Sequence, residues 1–360
     1  MSAVLDNLKF EELTDSSHYL EDHEKLKLTI QDNGYLFLRD VIDVKRIESV
    51  RSDYVKILKK YGYVKDNEST EPIWTGKEYN EKELVPLVTA KHSAVGRDMQ
   101  EVKELQDVYY DKNLLSVLKI VLGGDPYTWG DAMERCRFML PGRGAAKLGG
   151  SEVHRVTPAH QDNYFFMWDA EHRPIPFYTT WIPLMDIDSS VGGLILMKDS
   201  HKRNSLFKHY MMKSNEYFVP FNPHQMKEWE SSGAVVVVGG GCPQGDDIWL
   251  RSDYRPGDVL IFDQYMLHSG FTNLSDKIRL SGDFRYQAKG TPTSWAANTT
   301  LSYQLDWGAE LRAEINKIGL KGEIAERVKH HIGYLEGPNL NRSLTLSDRI
   351  QELANNIKQN

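Results

Sequence analysis

The sequence predicts a mixed α and β protein in which helices flank a β-core, and three observations predict it. The first 125 residues repeat apolar side chains at steps of three and four, the spacing of a helix face. From about residue 126, short apolar runs are broken by Gly, Pro and Asp, the pattern of strands in a β-sandwich or barrel. Helical spacing returns beyond Trp307, in Leu311, Ile315 and Ile318 and again in Ile350, Leu353 and Ile357.

In chain order, a polar leader runs to Asn33-Gly34, a turn that introduces the strand Tyr35-Leu36-Phe37-Leu38. Ile47, Val50, Tyr54, Ile57 and Tyr61 then share one face of a helix over residues 44 to 61, with Asp43 placed to cap it. A second helix carries Leu114, Leu115, Leu118 and Val121 and stops at Gly123-Gly124. Strands follow at Arg135 to Leu140, Tyr178 to Met185, Leu194 to Met197, Val235 to Val238, Val259 to Phe262 and Ile278 to Tyr286. No fixed-period repeat or low-complexity tract divides the chain. One catalytic domain over residues 1–360 is the economical reading, with a mainly helical part at 1–125, the β-core at 126–290 and a helical extension at 291–360.

Composition narrows the function. Forty-four Lys and Arg against 51 Asp and Glu leave a net charge of -7, which argues against a phosphate backbone as partner. The opening is acidic and polar, unlike a secretory leader, and no apolar window is long enough to span a bilayer, so the expectation is a cytoplasmic protein acting on a small molecule. Two cysteines, Cys136 and Cys242, cannot build a disulfide framework or a four-thiolate site. Any metal site must come from the twelve histidines and the carboxylates, donors that suit iron, manganese or zinc.

The segment Thr157 to Phe166 sets His160 and Asp162 two residues apart, on one face if the backbone is a strand. A second histidine would complete a facial triad with open positions. The candidate is His268, at the end of the apolar strand running from Asp258, 106 residues after Asp162. The next strand alternates: Ile278, Leu280, Phe284 and Tyr286 share one face, and Arg279, Ser281, Asp283 and Arg285 the other. A guanidinium beside a hydroxyl can grip a carboxylate through a two-pronged hydrogen bond, which lysine cannot reproduce.

Taken together these segments resemble the phytanoyl-CoA dioxygenase family of non-haem iron, 2-oxoglutarate-dependent oxygenases. The match runs from Asn33 to Leu38, through the His-x-Asp of His160 and Asp162, to Trp181 to Asp188, Gly192-Gly193-Leu194 and Asp199-Ser200-His201-Lys202. Pro256-Gly257-Asp258, His268, Asn273 to Asp276 and Arg279, eleven residues past His268, complete it. The resemblance covers roughly residues 25 to 287. It implies a double-stranded β-helix, the cupin-like jelly roll, with Fe(II) held by His160, Asp162 and His268. It also implies 2-oxoglutarate as cosubstrate with its distal carboxylate on Arg279, O2 as oxidant, and Gln161 and Trp181 near the cosubstrate. Where family members often carry Ser two residues past the distal histidine this chain has Gly270, and Ser281 can stand in for it. Asp162 favours hydroxylation, desaturation or ring formation over halogenation, because halogenating relatives lack that carboxylate. Succinate and CO2 would be the coproducts.

Other features read more plainly. Glu152 and His154 could make a rival metal pair, but the flanking Gly149-Gly150 and Pro158 favour a loop there, in which His154 can meet substrate. Gly239-Gly240-Gly241 lacks the residues of a phosphate loop, and His330-His331 lies in a charged, solvated stretch. Arg137 can add charge to the pocket, Tyr164, Phe166 and Trp168 can wall it, and Trp181 can equally fill the core. The absence of a basic cluster for CoA phosphates favours a small metabolite or natural-product intermediate over an acyl-CoA. The rival readings are a zinc hydrolase, which leaves Arg279 unexplained, and a non-catalytic jelly-roll binding module.

Overall fold

The structure, a computed structural model, describes residues 9–66, 68, 70–80, 82–84, 93–128, 135–142, 145–148, 151–157, 162, 176–203 and 248–291, and near the C-terminus 314–322, 324, 347, 350–351 and 354–355. The helix expected at 44 to 61 is α2 (Val44–Lys60). The Asp43 side chain accepts the Lys45 N–H at its start, and Ile47, Val50, Tyr54, Val55 and Leu58 form its buried face. Each buried side chain of this kind contributes roughly 1.5–3 kcal/mol, which outweighs the modest propensity of the β-branched residues. The helix α3 (Lys112–Leu122) is capped by Asp111, which accepts the N–H groups of Asn113 and Leu114, and ends where Gly123 turns left-handed. The leader read as merely polar instead holds a short strand, β1 (Lys9–Glu12), and a helix, α1 (His23–Asn33), whose Asp22 cap accepts the Lys25 N–H. The turn read at Asn33-Gly34 is therefore the end of this helix, with Gly34 as its C-cap at φ 77°. The bare Gly34 backbone lies against the His201 ring, which an added Cβ would strike at 2.4 Å.

Ten of the strands make two sheets that stack as a jelly roll. The larger has the order β2 (Tyr35–Leu38), β10 (Val259–Asp263), β7 (Tyr178–Pro183), β12 (Arg279–Ala288), β3 (Pro126–Thr128), with β4 (Arg135–Met139) also beside β12. The smaller has the order β1, β9 (Ile248–Arg251), β8 (Leu194–Met197), β11 (His268–Gly270). All pairings are antiparallel except β1 with β9. The outer face of the large sheet is covered by helices. Phe284 lies 5.1 Å from the Tyr109 ring, Tyr286 donates its hydroxyl to the Tyr109 carbonyl, and the Tyr54 hydroxyl meets Cys136 Sγ at 2.7 Å. The inner face looks toward the small sheet and lines the cavity described below.

The β-core departs from two further expectations. The strand read as running from Asp258 to His268 ends at Asp263, and a turn carries the chain to the other sheet, where His268 opens β11. The turn is held by the Asp263 side chain, which accepts the Tyr265 N–H, and by its carbonyl, which accepts that of Met266. The region read as a loop before His160 instead contains a hairpin, β5 (Ala145–Leu148) antiparallel to β6 (Ser151–His154), with Leu148 opposite Ser151. Residues 314–318 are helical, as expected for the C-terminal part. The strand expected at Val235 to Val238, the Gly239-Gly240-Gly241 run and His330-His331 lie outside the described residues. Among the described residues no helix is long and apolar enough to cross a membrane.

Burial pushes the Asp263 carboxyl up to about 6, against the Tyr265 N–H, which lowers it. Between about pH 4 and that value the folded protein keeps a proton that the unfolded chain has released, so stability falls as pH rises through this window and levels off above it. Asp263→Asn, whose amide oxygen can still accept the Tyr265 N–H, should therefore be more stable than wild type at pH 7.5 by on the order of 2 kcal/mol. The advantage should vanish near pH 4, and urea denaturation at the two pH values checks it.

Candidate active site

Alternation along β12 builds the floor of the cavity. Arg279, Ser281, Asp283 and Arg285 face inward while Leu280, Phe284 and Tyr286 face the helices, and all seven are buried. The register then sets their neighbours: Arg285 lies opposite Thr179, Asp283 opposite Trp181, and Ser281 opposite Arg137 on β4. Phe262 on β10 lies opposite Thr179 in the same row. The small sheet closes the cavity with Leu194, His268 and Gly270.

Asp162 and His268 meet inside. They are 1% and 3% exposed, and His268 Nε2 stands 3.9 Å from Asp162 Oδ1. The other ring nitrogen of His268, Nδ1, lies 3.0 Å from the Met266 carbonyl, which can only accept. That fixes the proton on Nδ1 in the neutral ring and leaves the Nε2 lone pair toward Asp162. Asp162 Oδ2 accepts from the Thr179 hydroxyl and from Arg285 through Nε at 3.2 Å and Nη2 at 2.8 Å. Burial works against the charge of Arg285, but Asp162 and Asp283 together hold its pKa above the usual value. A cation about 2.1 Å from each donor spans up to about 4.2 Å between them, so one ion fits between Nε2 and Oδ1. Among the described residues no group of three or more His, Cys, Asp or Glu side chains surrounds a single point. The third candidate, His160, lies outside them, as does Gln161. Asp162 stands in a turn, so its placement comes from Thr179 and Arg285 and not from strand alternation.

Arg279, 2% exposed, occupies the other end. Its Nη1 donates to the carbonyls of Gly192 and Gly193. Burial, with Arg137 adding like charge, pulls it down to about 10, so it remains a cation at neutral pH. Its Nε and the Ser281 hydroxyl are both shielded from solvent and have no hydrogen-bond partner among the described residues. A buried cation resting on neutral carbonyls beside an unused donor is the environment a carboxylate would satisfy. Arg137 also lines the cavity but is committed to Asp283, with Nε 3.0 Å from Oδ1 and Nη2 3.4 Å from Oδ2. Trp181 lines the cavity too, its ring 4.7 Å from Tyr254.

Of the residues singled out from the sequence, Asp162, His268, Arg279, Ser281, Trp181 and Arg137 come together. Tyr164, Phe166 and Trp168 lie outside the described residues, and of His154 only the backbone, at the end of β6, is described. Thr179 and the pairing role of Arg285 were missed. The alternation of β12 already put Arg285 on the functional face, but the strand opposite it is not visible in a single sequence.

The family model for phytanoyl-CoA dioxygenase matches residues 30–281. The chain belongs to that family. It is thereby a non-haem oxygenase that uses Fe(II), 2-oxoglutarate and O2. It is similar to the 1-deoxypentalenic acid 11-beta-hydroxylases of Streptomyces exfoliatus, 25% identical with 79% of this chain and 88% of that protein covered, and of Streptomyces arenae, 24% identical with 81% and 90% covered. Among solved structures it matches the non-heme alpha ketoglutarate dependent epimerase SnoN from nogalamycin biosynthesis, at 12% identity and a TM-score of 0.46, over 76% of this chain and 85% of that one.

The Gly192 carbonyl that anchors Arg279 exists because Gly192 sits at φ 75°, where an added Cβ would lie 2.3 Å from the Thr272 carbonyl oxygen. Gly192→Ala should destabilise the protein by about 3 kcal/mol or more, combining left-handed strain with a backbone clash. Gly290→Ala, also left-handed at φ 83° but with nothing within 4 Å, should cost only about 1 kcal/mol. Thermal denaturation of the two variants side by side checks the difference.

Proposed function

We propose that His160, Asp162 and His268 hold the Fe(II), that Arg279 with Ser281 receives the distal carboxylate of 2-oxoglutarate, and that the enzyme hydroxylates a small natural-product intermediate. The observation that carries the assignment is the pairing, in one buried cavity, of a His268 and Asp162 couple 3.9 Å apart with a buried Arg279 whose Nη1 rests on neutral carbonyls. The first end suits a divalent cation and the second an anion. Two relatives named as hydroxylases of 1-deoxypentalenic acid support a substrate of natural-product type and hydroxylation as the outcome.

In this reading the iron, when bound, supplies the O2 chemistry that couples decarboxylation of 2-oxoglutarate to oxidation of the substrate. The chain's own residues supply position and dryness. Asp162 and His268 present one donor atom each. Arg279 fixes the cosubstrate by its far end, so that the 2-oxo acid end points back toward the metal-binding pair. Phe262 and Trp181, packed beside His268 and under the cavity, keep water from the reacting side.

Anaerobic titration of the protein with Fe(II) and 2-oxoglutarate should produce the weak visible charge-transfer band of the chelate. His268→Ala should abolish it, and Arg279→Ala should raise the 2-oxoglutarate concentration needed by about tenfold or more, in line with the loss of about 1.5–3 kcal/mol for a charged hydrogen-bonded pair. Absence of the band in folded, iron-loaded wild type would overturn the assignment.

A further inference from the structure

Asp162 is held asymmetrically. Its Oδ2 takes three donors, the Thr179 hydroxyl and the Nε and Nη2 of Arg285, although a carboxylate oxygen offers only about two lone-pair directions. Its Oδ1 is the atom turned toward His268 Nε2. The clamp cannot easily swing aside. Arg285 is 2% exposed, sits directly across the sheet from Thr179, and gives its remaining arm, Nη1, to Asp283. Asp283 is in turn gripped from its other side by Arg137.

We propose that Arg285 and Thr179 are positioning residues that restrict Asp162 to one-oxygen coordination, by saturating Oδ2 and turning Oδ1 toward the cation. The consequence follows from counting positions, on the assignment of His160, Asp162 and His268 made above. Three protein donors and a chelating 2-oxo acid fill five places around a six-coordinate ion, and the sixth is the one O2 needs. A carboxylate free to bind through both oxygens would take that sixth place or compete with the cosubstrate for its own. A clamp serving only to neutralise Asp162 would need one positive charge and no fork. The observed arrangement adds a neutral hydroxyl and a second guanidinium N–H to the same oxygen, which is more than charge balance requires.

The test uses full-length protein, anaerobic, with Fe(II), 2-oxoglutarate and nitric oxide as a spectroscopic probe of an open coordination position. Wild type, Arg285→Lys, Thr179→Val and Thr179→Ser are compared by the chelate band and by the electron paramagnetic resonance signal of the nitric oxide adduct. Arg285→Lys keeps the charge and loses the fork, Thr179→Val keeps the shape and loses the hydroxyl, and Thr179→Ser restores it. The expected result is Fe(II) binding in all four, with the nitric oxide signal, or 2-oxoglutarate affinity, reduced about fivefold or more in Arg285→Lys and Thr179→Val and recovered in Thr179→Ser. If Arg285→Lys does not fold, the two Thr179 variants decide alone. Wild-type band, affinity and signal in Thr179→Val and in any folded Arg285→Lys would overturn the proposal while leaving the iron and cosubstrate assignment standing. No chelate band in wild type would remove both.

Discussion

The structure depends on a chain of buried opposite charges laid across the inner face of the large sheet. Arg137, Asp283, Arg285 and Asp162 alternate in sign, each touching the next, and none is more than slightly exposed. Burying any one of them alone would cost several kcal/mol, and the cost is offset only while its neighbours stay in place. The four sum to zero. Arg279 stands outside the chain, its Nη1 on backbone carbonyls, and His268 meets Asp162 at the opposite end. The cavity therefore has a neutral, rigid middle with one end suited to an anion and the other to a cation. That polarity is what orients an asymmetric cosubstrate.

The sheet keeps this chain in register because its two faces are chemically incompatible. A slip of one residue in β12 would turn Arg279, Asp283 and Arg285 into the helical layer and bring Leu280, Phe284 and Tyr286 into the cavity. The outer layer resists this with specific contacts as well as apolar area. Tyr286 is tied by its hydroxyl to the Tyr109 carbonyl, and Tyr54 reaches both Cys136 Sγ and the Phe138 ring, pinning β4 beside β12. The helices thus fix, from outside, the alignment of charges that the cavity uses inside.

This division explains what was legible in the sequence. The period-two pattern of Ile278 to Tyr286 reported both faces of β12 at once, and the helix α2 declared itself through Asp43 and the steps from Ile47 to Tyr61, of which Ile47, Val50 and Tyr54 lie on the fully buried face, because local chemistry alone decides these elements. The family resemblance fixed the jelly roll and the cofactors. The partners of those elements were not legible. That Thr179 stands across from Arg285 is a matter of strand pairing between segments more than a hundred residues apart, and nothing in Tyr178 to Pro183 taken alone separates a carboxylate-binding threonine from a β-former. The break at Asp263 was hidden for a related reason. Asp263 and Gln264 interrupt the apolar run from Val259 to Leu267, but the residues on both sides of them are buried, so the interruption reads equally well as a polar pair within one longer strand.

That break is itself part of the site. If β10 ran on to His268, the histidine would belong to the same sheet as Thr179, and the metal-binding pair would sit on one surface. Instead the turn after Asp263 hands the chain to the small sheet, and His268, on β11, faces an aspartate held by β7 and β12 of the large one. The 3.9 Å between Nε2 and Oδ1 is thus a distance between two sheets, set by how closely they stack. Phe262, the last inward residue of β10, packs its ring 4.6 Å from that of His268 and acts as the spacer. The packing of an apolar ring and the placement of two polar donors are here one constraint, and the geometry available to a cation follows from the thickness of the sandwich.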